Sequence, residues 1–198
     1  MTRFNLHLIS PILLGLLALP STVVSAPQSP EVCESRAFDS GMFRAYTNPK
    51  PVSKHAFSTN GGRQIKLSTL PGPRALLVNF WTTWCTPCKE EMPSMDRLQG
   101  RISPAQLLIL PLVRDGKGLS EAKRFYKSFD ITNLPVAADR FGKISYDHNI
   151  GALPQTLFVD QGGLVKGILT GAVDWESKPV LELLDSCLNI KIEQDTAI

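Results

Sequence analysis

Histidine is scarce in this chain: three residues in 198, at positions 7, 55 and 148, none at ligand spacing from another. Cysteine is scarce too, with four residues. Only Cys85 and Cys88 have the two-residue gap of a zinc half-site, and no second such pair completes a tetrahedral centre. No metal and no cofactor is therefore expected. An excess of charge of one sign is also missing. The formal net charge is +3 and the Lys and Arg residues are scattered, so no basic stripe fits a nucleic-acid backbone. Internal repeats are absent, which excludes repeat architectures. Before position 27 the only charged side chain is Arg3.

That last absence marks a targeting segment. Arg3 is a short positive region, residues 6–19 are mostly Leu, Ile and Ala, and Val24-Ser25-Ala26 resembles a small-residue cleavage site. Two outcomes stay open for residues 1–26. They are a signal peptide that is removed, although Pro27 is a poor residue after a cleavage point. Or they remain as a membrane anchor, since a span needs roughly 20 residues, although Pro11, Pro20 and His7 weaken it. Either way the expected location is the cell envelope or periplasm, outside the cytoplasm. The whole chain is 43% hydrophobic and 20% charged, as in a globular protein with a core. Residues 27–54, with Pro27, Pro30, Pro49 and Pro51, read as an arm or linker. Residues 55–190 read as one domain, and 191–198 as a polar tail. An even cysteine count suits an oxidising compartment. Cys33 and Cys187 lie in the two flanks of the domain and are candidates for a structural disulfide. In the chain-entropy model so long a loop contributes about 4–5 kcal/mol. Two unpaired thiols are the alternative.

Within the domain, Asn60-Gly61-Gly62 signals a turn and residues 64–67 an edge strand. Ala75–Trp81 is almost wholly apolar, as in a parallel strand covered on both faces. Residues 89–102 carry apolar side chains at helical spacing, with Pro93 expected to kink the helix. Leu107–Leu110 is a second buried strand that Pro111 is expected to cut short. Ser120 is a candidate N-cap for a helix over 121–129. A short strand over 134–138 and a short helix over 145–150 follow. Leu157–Asp160, the turn Gln161-Gly162-Gly163 and residues 164–169 read as a hairpin, and 175–188 as a final amphipathic helix. Strands alternating with helices make this an α/β sandwich.

The chemistry is concentrated in Trp84-Cys85-Thr86-Pro87-Cys88. Cys85 sits where a buried strand hands over to a helix. Unpaired N–H groups and the positive end of the helix dipole lower a thiol pKa there. A second thiol one turn on can close a disulfide or resolve a mixed one. Downstream, 69 residues after Cys85, Leu153-Pro154-Gln155-Thr156 precedes a strand.

Together the stretches Val78-Asn79-Phe80-Trp81-Thr82-Thr83-Trp84-Cys85-Thr86-Pro87-Cys88-Lys89-Glu90-Glu91-Met92-Pro93 and Gly151-Ala152-Leu153-Pro154-Gln155-Thr156 resemble the signatures of TlpA-like and ResA-like thioredoxins. The resemblance covers roughly residues 55–188. It implies a thioredoxin fold: a central mixed β-sheet flanked by helices, with a strand–helix insertion between the CxxC helix and the cis-proline. It implies Cys85 as nucleophile, Cys88 as resolving thiol and Pro154 as the cis-proline, an isomer that X-Pro bonds reach at small cost; a trans loop proline is the alternative. Leu153, Trp84, Thr86 and Pro87 are expected at the substrate contact, and Trp81 in the core. Where thioredoxin has a buried Asp, this chain has Asn79, which cannot ionise, so a proton on Cys88 needs another route. Glu91, three residues after Cys88, is the candidate to tune Cys88 or carry its proton. A solvated helix carboxylate is the alternative. His148 is read as a helix or loop residue away from the site.

The expected activity is that of an extracytoplasmic thiol–disulfide oxidoreductase, a monomer that reduces client protein disulfides and is re-reduced by a membrane electron donor. The resemblance points to clients in cytochrome c maturation or copper-site assembly. A disulfide oxidase or isomerase, and a dithiol copper chaperone, are the alternative functions; soft thiolates favour Cu(I).

Overall fold

The structure is a computed structural model that describes residues 33, 42–70, 72–114 and 118–192. The targeting segment 1–26, residues 27–32 and 34–41 of the arm and residues 193–198 of the tail lie outside the described residues.

The elements are β1 (Phe43–Pro51), β2 (Ala56–Thr59), β3 (Gln64–Lys66), β4 (Ala75–Trp81), α1 (Thr86–Arg101), β5 (Leu107–Val113), α2 (Leu119–Ser128), β6 (Ala137–Ala138), α3 (Lys143–Asp147), β7 (Gln155–Asp160), β8 (Leu164–Thr170) and α4 (Lys178–Leu188). The strands form one eight-stranded sheet in the order β1-β8-β7-β4-β5-β6-β2-β3. β5 runs parallel to both β4 and β6. β7 pairs antiparallel with β4, β8 with β7, and β1 with β8. A parallel pair needs a crossover, and α1 supplies it between β4 and β5.

The alternation of side chains along a strand positions the site. Every residue of β4 is buried. Leu77 and Trp81 face the core built with α1, α2 and α4, through Met92, Met95, Phe125 and Val180 among others. Leu76, Val78 and Phe80 face the opposite core, with Phe57, Leu112 and Ile144. A period of two therefore turns Asn79 toward α1. Its antiparallel partner in the register is Thr156 of β7, which puts two polar side chains together on that face.

Four sequence expectations are corrected. Residues 43–51 are a strand of the sheet rather than part of an arm. β1 is an edge strand, where the missing N–H groups of Pro49 and Pro51 are tolerated. Its Phe43 ring meets Phe158 edge-on at 5.2 Å. Gly167 of β8 leaves the room, since a Cβ there would collide with that ring and lie 2.9 Å from the Arg44 carbonyl oxygen. Pro111 does not end β5, which continues to Val113. β6 pairs only with Leu112 and Val113, so the ladder on that side starts after the proline and loses no bond. The N-cap of α2 is Gly118 rather than Ser120. The final helix starts at Lys178, not Trp175; Trp175 is fully buried in the loop before it.

Candidate active site

Cys85 occupies the N-cap of α1, with an extended backbone (φ −80°, ψ 107°). The strand ends at Trp81, and the Cys85 N–H donates to the Thr82 carbonyl at 3.3 Å, closing a turn that delivers the thiol to the helix start. Pro87, in the first turn, needs no hydrogen-bond partner there. The Cys88 N–H donates to Cys85 Sγ at 3.3 Å, so the sulfur takes the place of a capping oxygen. The two cysteines are joined in a disulfide with Cα atoms 5.3 Å apart. Cys88 is fully buried and Cys85 is 6% exposed. The outer sulfur belongs to Cys85.

Across from it lies the Leu153–Pro154 peptide bond, which is cis. The Pro154 carbonyl accepts the Gly171 N–H at 2.9 Å. Gln155 braces the segment: its Oε1 accepts the Gly151 N–H at 3.2 Å and its Nε2 donates to Thr170 Oγ1 at 2.8 Å. Between the helix start and this loop runs an open groove of about 560 Å³. Trp84, Thr86 and Pro87 line it on the helix side, Gly151 and Leu153 on the loop side. Trp84 is 73% exposed, an indole held in solvent beside the disulfide. Arg114 also lines the groove. The sequence analysis did not single it out. The available signal was its position just past the carboxyl end of a parallel strand, where open α/β sheets place ligands.

Glu91 is almost fully buried, not solvated. Its Oε1 accepts from Asn79 Nδ2 at 2.8 Å. Its Oε2 accepts from Trp175 Nε1 at 3.1 Å and from the Val173 N–H at 3.4 Å. Asn79 Nδ2 also donates to Thr156 Oγ1 at 3.0 Å. Burial pushes the Glu91 carboxyl up to about 7, against the lowering effect of the donors Asn79, Trp175 and Val173. The carboxyl thus changes charge near neutral pH, in the helix that carries Cys88. Trp175 was not foreseen as its partner, nor Thr156 as the acceptor for Asn79.

Residues 50–168 match the profile of the AhpC/TSA family. The chain belongs to the AhpC/TSA family. Among its relatives is the thiol-disulfide oxidoreductase ResA of Geobacillus kaustophilus, 35% identical over 115 residues, which are 58% of this chain and 64% of the relative. The chain thus spans a little under two thirds of that relative's length. The thioredoxin-like protein YneN of Bacillus subtilis is 30% identical over 119 residues, 60% of this chain and 68% of the relative. In architecture the chain resembles the crystal structure of a thiol:disulfide interchange protein DsbE from Chlorobium tepidum. The TM-score is 0.62 at 21% identity, covering 71% of this chain and 96% of the other. The fold is thioredoxin-like.

The family match includes Cys85, Cys88, Glu91, Arg114 and Pro154 but stops before Trp175 and Cys187. Cys187 of α4 is bonded to Cys33, Cα to Cα 4.4 Å, and both are buried against the α1-side core. His148 stands apart from the groove: its Nε2 accepts the Ser53 N–H at 3.0 Å, and burial lowers its pKa. Among the described residues no group of His, Cys, Asp and Glu is placed to hold a metal ion.

Proposed function

We propose that this protein is a thiol–disulfide oxidoreductase that reduces disulfides of client proteins outside the cytoplasm. The observation that carries the reading is the Cys85–Cys88 pair at the N-cap of α1, facing the Leu153–Pro154 cis bond across an open groove. In the reduced form the helix N-terminus favours the Cys85 thiolate. That thiolate attacks one sulfur of a client disulfide. The client S–S bond breaks, a mixed disulfide to Cys85 forms, and the departing client sulfur leaves as a thiolate that takes a proton from water. Cys88 then loses its proton and attacks Cys85 Sγ. The second client thiol is released and the Cys85–Cys88 disulfide is restored. Two electrons pass to the client, and a membrane dithiol donor returns them.

Glu91 is our candidate for the group that takes or tunes the Cys88 proton. Asn79 cannot do so, and a carboxyl near 7 is poised for it at neutral pH. Leu153 pairs its backbone with the client in strand fashion, and Trp84, Thr86 and Pro87 form the opposite wall. The ResA-like resemblance directs the search for clients to apocytochrome c and copper-site proteins. Export rests on Arg3 and the apolar residues 6–19. Among the described residues no helix is long and apolar enough to cross a membrane.

Trapping tests the mechanism. In Cys88→Ser the resolving attack is lost, so a mixed disulfide through Cys85 accumulates on exposure to disulfide-bearing envelope proteins. It is read as a reducible adduct by mass. Absence of any adduct would sink the proposal.

A further inference from the structure

Among the described residues that line the groove, Arg114 is the one charged side chain. The sheet fixes its position. β5 ends at Val113, and the Arg114 N–H donates to the Trp81 carbonyl at 2.9 Å, which holds residue 114 level with the end of β4, just before the Cys85 turn. From there the guanidinium reaches the cis-proline loop, where Nη1 donates to the Ile150 carbonyl at 3.2 Å. That bond uses one of five N–H donors. Among the described residues no carboxylate pairs with it. An arginine held by one bond, partly buried, beside an attackable sulfur and, among the described residues, without a counter-ion is a ready partner for an anion brought by something else.

We infer that Arg114 sets client specificity: it receives a carboxylate side chain that flanks the disulfide under attack. The inference rests on the oxidoreductase reading above. Among the described residues the rest of the lining has no charge, so Arg114 sets the sign of that lining. An extended client segment lying over Leu153 brings residues close to its reactive cysteine over this wall, because strand pairing spreads neighbouring side chains along the groove. A Glu or Asp there meets a rigid guanidinium fork that matches carboxylate geometry; a Lys or Arg meets like charge. Such complementarity acts on encounter rate and register more than on the chemistry of sulfur exchange.

The test uses two disulfide-bridged peptides of one sequence, differing only by Glu or Gln beside the bridged cysteine. Wild-type protein, Arg114→Gln and Arg114→Lys are compared by kcat/KM on each peptide. The wild type is expected to favour the Glu peptide by about fivefold, the preference shrinking as salt is raised. Arg114→Gln should bring the ratio to about one, and Arg114→Lys should keep part of it. Equal rates on both peptides in the wild type would overturn the inference. So would an Arg114→Gln protein slowed on both peptides with the ratio intact, which would leave Arg114 only a brace for Ile150. If the wild type reduces neither peptide, the oxidoreductase reading falls and takes this inference with it; equal reduction of both removes the inference alone.

Discussion

Glu91 is a carboxylate with three donors around it and, among the described residues, no salt-bridge partner. Donors alone do not offset the loss of water, so its proton is held more tightly in the folded chain than in the unfolded one. With a folded value of about 7 against 4.5 unfolded, the native state binds the extra proton between those pH values. This contribution to stability is complete below about pH 4.5 and is lost as pH rises through 7. The loss amounts to about 3 kcal/mol. Denaturant unfolding of the oxidised protein across this range should show that decline in the wild type and a flatter curve in Glu91→Gln. Identical slopes would mean that Glu91 is not the titrating group. The offset of Glu91 from Cys88 was readable as one helical turn. Its burial was not, because the indole that covers it, Trp175, lies 84 residues away in the chain.

Among the elements, β4 and α1 were legible because each carries its own signal: a continuous apolar run for the strand, and a thiol pair followed by apolar spacing for the helix. β1 was not. Its sequence FRAYTNPKP holds two prolines and no clean alternation, and only its neighbour makes it a strand. β8 offers an open edge, and Gly167 gives up its side chain so that Phe43 can reach Phe158. The docking of β1 therefore depends on that glycine. Gly167→Val should lower stability by about 2 kcal/mol, within the range for overpacking, seen as a lower midpoint in thermal unfolding. An unchanged midpoint would mean that β1 shifts without cost. The same dependence on partners explains α4. Its helical spacing was visible, but its start moved to Lys178 because Trp175 is used elsewhere, donating to Glu91 from a loop.

At the scale of the whole molecule, one sheet arranges everything the proposed chemistry needs. The parity of β4 turns Asn79 to the α1 side, its pairing with β7 adds Thr156, and the chain that follows β8 brings Trp175. The carboxyl ends of β4 and β5 deliver Cys85 and Arg114 to one groove, and the start of β7 brings the cis-proline. The thiols and the proline motif were visible in the sequence because local spacing defines them. The acid network and the place of Arg114 in the groove were not, since each is assembled from residues far apart in the chain. The Cys33–Cys187 disulfide joins residues 154 apart and ties α4 to the N-terminal flank. The central claim is that this assembly donates electrons. It is tested most directly by the equilibrium reduction potential of Cys85–Cys88, titrated in a dithiol buffer with alkylated thiols counted by mass. The account predicts a value near or below about −250 mV, in the range of a reductant such as thioredoxin. A value near about −120 mV would contradict it and make the protein a donor of disulfides instead.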